Sequence, residues 1–234
     1  MKHANLKHFA LRSVSFPLFL ACIGCLCIPA HAQQASAQVN TLNQPPATAS
    51  FGIKVGPNFS SVTTKLSGSK ETSNLLTSVS GGVYVNVPLA PEFYLQPALL
   101  FEQKGGKKVY GSHSDELFRL NYLTLPLNFT FAPAVGRGQW LVGFGPYFGY
   151  GLSGTHSGSF ADSLFTFSHD PFSGDNGLKR FDAGLDVLIG YQLASGINFG
   201  IQSELGLVNL LKNGDSNNSF RNTSFQVTIG YTFK

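Results

Sequence analysis

The chain has 234 residues, of which 43% are hydrophobic and only 12% charged, and its formal net charge is +4. That basic balance is no argument for a nucleic-acid partner. Three of the 16 Lys+Arg and none of the 12 Asp+Glu fall in the first 32 residues, which leaves a net charge of +1 for the rest. All three cysteines (Cys22, Cys25, Cys27) lie there too, so the remainder has no disulfide, thiol chemistry or cysteine metal site.

Those first residues read as a signal peptide. Lys2, Lys7 and Arg12 form a positive start, an apolar run follows from Val14 to Ala30, and Ala30-His31-Ala32 has the form of a cleavage site. The run is short for a membrane span and is broken by Pro17 and Pro29, which argues against a retained anchor. Residues 33–50 are rich in Gln, Ala, Asn, Thr and Pro and carry no periodicity, as expected of a flexible periplasmic lead-in. Residues 51–234 then form one domain, rich in Gly, Phe, Tyr, Ser and Thr, without a stretch long enough for a spanning helix.

Eight strands are predicted along that domain. The first, Phe51–Ser60, puts Phe51, Ile53, Val55 and Phe59 on one face and Gly52, Lys54, Gly56, Asn58 and Ser60 on the other. The second runs from Val79 to Leu89. After the tight Ala90-Pro91-Glu92, the third starts at Phe93 and alternates apolar residues with Tyr94, Gln96, Ala98 and Glu102. The fourth, Leu117–Phe131, changes phase between Phe118/Leu120 and Leu123/Leu125, which predicts a bulge near Asn121. The fifth, Gln139–Ser153, sets Trp140, Val142, Phe144, Phe148 and Tyr150 opposite Gly143, Gly145, Gly149 and Gly151. A long irregular stretch, Gly154–Lys179, precedes the sixth strand, Arg180–Leu193. Ala194-Ser195-Gly196 turns into the seventh, Ile197–Val208. The eighth, Ser224–Phe233, alternates Phe225, Val227, Ile229, Tyr231 and Phe233 with Ser224, Gln226, Thr228, Gly230 and Thr232.

The connections alternate long and short, and transmembrane barrels of bacterial outer membranes alternate external loops with periplasmic turns in the same way. Charge placement decides what the apolar face meets. Asp182, Asp186, Glu204, Lys54 and Glu102 all fall in the opposite phase. If the apolar face pointed inward, as in a soluble barrel, the outside would be dominated by glycine, a poor solvent surface and weak strand material. A narrow lumen does suit glycine and small polar groups. The expected fold is therefore all-β, an eight-stranded antiparallel up-and-down transmembrane β-barrel in the outer membrane, with aromatics (Phe51, Trp140, Tyr191, Tyr231, Phe233) at the periplasmic interface.

Three segments carry a family resemblance: F-G-I-K-V-G-P-N-F-S at Phe51–Ser60, L-Q-P-A-L-L-F-E-Q-K-G at Leu95–Gly105, and N-Y-L-T-L-P-L-N-F at Asn121–Phe129. With them the chain resembles the PorT-type family of small bacterial outer-membrane β-barrel proteins, over the whole of residues 51–234. The resemblance implies an eight-stranded barrel with an N-terminal signal and supplies no catalytic residues. The family takes its name from a member implicated in protein export, a role not carried over. One departure is Lys234, which follows the terminal aromatic where assembly signals usually end on it.

Lys54, Glu102, Asp182, Asp186 and Glu204 are expected inside the lumen as a structural network of ion pairs and hydrogen bonds, with Lys54 finding a carboxylate. The remaining histidines, His113, His156 and His169, fall in expected external loops with no spacing that supports Ser/His chemistry. Asp170, Asp175 and Asn176, or Asp215 and Asn217, fit no calcium-loop pattern and read as solvated turns. Phe160, Phe165, Phe167 and Phe172 either fold onto the barrel rim or form an exposed patch for a protein or surface partner. The sequence thus predicts a non-enzymatic barrel without cofactor or metal, embedded in outer-membrane lipid and acting through its external loops. The alternatives are a narrow pore or export-linked component, and a lipid-acting enzyme.

Overall fold

The computed structural model describes residues 48–107, 114–160, 165–175 and 177–233. The expected signal peptide, most of the lead-in, His113, Asn176 and Lys234 lie outside them. Strands follow in chain order: β1 (Ser50–Leu66), β2 (Ser69–Thr72), β3 (Leu76–Ala90), β4 (Phe93–Lys107), β5 (Ser114–Phe131), β6 (Ala134–Val135), β7 (Gly138–Phe160), β8 (Phe165–His169), β9 (Phe181–Leu193), β10 (Ile197–Gly206) and β11 (Ser219–Phe233). Eight long strands pair antiparallel with their chain neighbours, and β11 pairs back onto β1. The sheet is a closed eight-stranded barrel. Short β2, β6 and β8 add to β1, β7 and β7 outside the circuit.

Closure runs through Phe51 opposite Phe233, Ile53 opposite Tyr231 and Val55 opposite Ile229. It leaves no open edge, as a backbone in hydrocarbon requires. The two faces are sorted as the alternation demands. On β11, Ile229 is 50% exposed on the outside, whereas Gln226 is 1% exposed inside. Phe51 stacks on Phe233 with centroids 4.8 Å apart, and Trp140 meets Tyr191 edge-on at 5.6 Å. Both pairs sit at the end where β1 begins, β11 ends and the short turns gather, the periplasmic interface of the expected orientation.

The register shift between Asn121 and Tyr122 is the bulge that the phase change predicts. Strand bounds differ at the opposite, external end. β1 runs to Leu66 rather than Ser60, β11 starts at Ser219 rather than Ser224, and β7 continues to Phe160 and folds back on β8. The stretch expected to be irregular from Gly154 is in part this hairpin. Beyond the bilayer the outer face turns polar, as at Lys65 and Arg221, while Val62 and Phe220 face a buried apolar interior, so the apolar-outward phase that marks a strand in sequence is lost while backbone pairing continues.

Candidate functional site

The lumen is filled in layers. Nearest the short turns, Asn198 Nδ2 donates to Tyr84 Oη at 2.8 Å, and Tyr84 lies 2.6 Å from Thr232 Oγ1. Thr232 spends its own hydroxyl proton on Gln192 Oε1 at 2.6 Å, so Tyr84 is the donor to Thr232. The next layer is built on Lys54, whose Nζ donates to Gln202 Oε1 at 2.6 Å. Gln202 Nε2 donates onward to Asp186 Oδ2 at 2.7 Å, and Asn128 donates to the other Asp186 oxygen. Lys54 thus reaches a carboxylate only through an amide, where direct pairing was expected. The cavity left beside Lys54 and Tyr84 is ≈ 20 Å³.

Toward the outside comes the densest charge. Lys104 Nζ lies 2.5 Å from Glu204 Oε2 and 3.3 Å from Glu102 Oε2, with all three side chains buried. Gln226 Nε2 donates to Glu102 Oε1 at 2.5 Å, and Thr124 Oγ1 to Glu102 Oε2 at 3.3 Å. The Lys104 ammonium stands over the Tyr147 ring at 4.5 Å and the Tyr122 ring at 5.5 Å. Tyr147 Oη and Asn222 Nδ2 each donate to Asp182 Oδ2 at 3.3 Å. All five residues named from the sequence therefore stand in the lumen. Two of them, Glu102 and Glu204, are joined by a cation that sequence reasoning passed over. Lys104 lies two residues beyond Glu102 and shares its inward phase, which was the available signal.

Above this layer is an apolar cap of Val62, Phe118, Leu120, Tyr122, Phe172, Leu178, Leu210 and Phe220. Phe172 comes from the segment after β8 and points into the barrel, edge-on to Tyr122 with centroids 6.1 Å apart. A Cβ at Gly151 would run into the Phe172 ring, so the bare inner face of β7 is what admits the cap. Arg180 covers Phe172 from outside at 4.9 Å and donates from Nη1 to the carbonyls of Gly151 and Leu152, each at 2.8 Å. Of the four loop phenylalanines, Phe172 is thus buried. Phe160, Phe165 and Phe167 belong to the β7–β8 hairpin, with side chains outside the described residues.

At the rim, His156 stacks on Phe118 with centroids 3.8 Å apart, and its Nδ1 lies 3.3 Å from His169 Nε2. Its Nε2 is 3.5 Å from Glu116 Oε2. Burial, with His169 adding to it, lowers the His156 pKa from 6.5 to about 4, so the contact with Glu116 at neutral pH is not an ion pair. A cleft of ≈ 470 Å³ opens beside these histidines, lined also by Pro171, Asp175 and Leu211. Among the described residues no group of three His, Cys, Asp or Glu is arranged to hold a metal ion.

The family described as outer membrane protein beta-barrel domain matches residues 32–212. No curated protein sequence matches the chain. Among solved structures it is similar to Ail, the attachment invasion locus protein of Yersinia pestis, at 12% identity over 80% of this chain and 100% of that one, TM-score 0.43. Neisserial surface protein A is similar at 11% identity over 80% and 100%, TM-score 0.46. OprG from Pseudomonas aeruginosa is similar at 13% identity over 80% and 96%, TM-score 0.42.

Proposed function

Because the chain belongs to the outer membrane protein beta-barrel domain family, we propose that it is a PorT-like, non-enzymatic barrel that works through its external end. The filled lumen carries this reading. A polar layer around Lys104 and an apolar cap around Phe172 lie in series, both built of buried side chains, as expected of an eight-stranded barrel whose interior side chains fill. The external end supplies the working surface. β7 has 23 residues, against the roughly 9–11 needed to cross a bilayer, so its outer half stands clear of the membrane as a paired hairpin. In this reading the chain reaches the outer membrane after cleavage at Ala32, and no export role is assigned to it.

The histidine cleft is the feature that a lipid-acting enzyme would use, and it provides the test. Cells making the wild type and a His156→Ala/His169→Ala variant should have identical lipid mass profiles. A modified lipid present with the wild type and lost with the variant would overturn the non-enzymatic reading.

A further inference from the structure

Outside the barrel, at its external end, three cations share one cleft. Lys65 on β1 is directly opposite Lys70 on β2. Arg221 on β11 is opposite Thr63, which makes it the diagonal neighbour of Lys65. All three fall in the outward phase set by Phe59 and Phe225, whereas Glu71 falls in the other. Two like charges in direct register across a strand pair are unfavourable by themselves. Among the described residues none of the three is within ion-pair distance of a carboxylate. Lys65 Nζ instead donates to the carbonyl of Ser216 at 2.7 Å.

Asp215 is the acidic group that lines the same cleft, and it is engaged in its own loop. Its Oδ1 accepts from the backbone N–H of Asn217 at 2.8 Å, that of Asn218 at 2.7 Å and Asn218 Nδ2 at 3.1 Å. The cleft has a volume of ≈ 380 Å³ and is lined on its β10 side by Leu205 and Leu207, both half-exposed. Leu205 pairs with Thr223, two residues closer to the bilayer than Arg221. Lys65 and Lys70 stand outermost, Leu207 is level with Arg221 and Leu205 lies below it, an order on the outer wall that matches a lipid at the interface: phosphate at the cations, hydrocarbon running down the leucines.

We propose that this cleft binds the phosphate-bearing headgroup of an outer-leaflet lipid, held by Lys65, Lys70 and Arg221 with an acyl chain along Leu205 and Leu207. The proposal rests on the apolar face meeting lipid and the long connections facing outward. Its test is a titration of the full-length detergent-solubilised protein with dihexanoyl phosphatidic acid, alongside inorganic phosphate and phosphate-free dihexanoylglycerol. Phosphatidic acid should bind at least about tenfold tighter than either control, and a Lys65→Gln/Lys70→Gln/Arg221→Gln variant should bind it about tenfold or more weaker. Equal binding of inorganic phosphate would make the site a free-anion site and overturn the lipid. Undiminished phosphatidic acid binding by the variant would overturn the cleft. Heat-modifiable gel mobility and membrane fractionation of the same samples report the barrel separately, so a misfolded variant or a protein outside the outer membrane is told apart from a barrel that lacks this site.

Discussion

Lys104 holds two buried carboxylates together, and that makes it the most sensitive single residue in the lumen. Lys104→Met leaves Glu102 and Glu204 facing each other without their cation, at a cost of roughly 3–5 kcal/mol. Lys54→Met removes a bond to an amide oxygen instead and should cost less, about 1–3 kcal/mol. Urea unfolding from lipid vesicles compares the two, and an equal loss would contradict the central place given to Lys104. His156 gives a prediction with a pH sign. Its folded pKa, about 4, lies below the unfolded 6.5, so the unfolded state binds the proton first. Its contribution is fully present above pH 6.5 and is lost as the pH falls from there toward 4. Glu116 and His169 are the titratable groups against it. Amide exchange at the outer ends of β5 and β7 should therefore quicken across that range, and His156→Phe should remove the dependence. A rim equally protected at pH 7 and pH 4.5 in the wild type would be the contrary result.

At the scale of elements, β11 separates the two environments along one strand. Ile229 faces outward at mid-strand and Thr228 faces the lumen at 6% exposure. Ile229→Arg should cost roughly 2–4 kcal/mol and block assembly, whereas Thr228→Ser should shift stability by less than about 1 kcal/mol. Heat-modifiable gel mobility of the outer-membrane fraction reads both, and equal tolerance would mean that the faces are misassigned. The same strand shows how much was legible. From Ser224 onward one face meets hydrocarbon and the other a wet, crowded lumen, so period-2 alternation marks every residue. From Ser219 to Thr223 that contrast ends, and the strand goes unread. For the same reason β2 and β8 left no trace. The lumen's charges were legible as positions but not as pairs. Phase puts Lys54 inside without revealing that Gln202 stands between it and Asp186. For Phe172 the sequence left two places open, the barrel rim and an exposed patch, because its burial depends on a loop returning over Gly151 of β7.

For the whole molecule, closure and filling are separate achievements. Pairing of β1 with β11 satisfies the backbone in lipid. Filling comes from long polar side chains in the middle and apolar ones at the outer mouth, stacked in series along the axis. On the proposed reading such a barrel is a mount whose exposed work is done on its outer wall and external hairpins. Single-channel recording in planar bilayers tests this most directly, on the wild type and on Phe172→Ala, which opens the cap but leaves the Lys104 layer in place. The structure predicts a flat baseline for both proteins. Steady, discrete current steps from the wild type would contradict the filled lumen and with it the account of how this protein works.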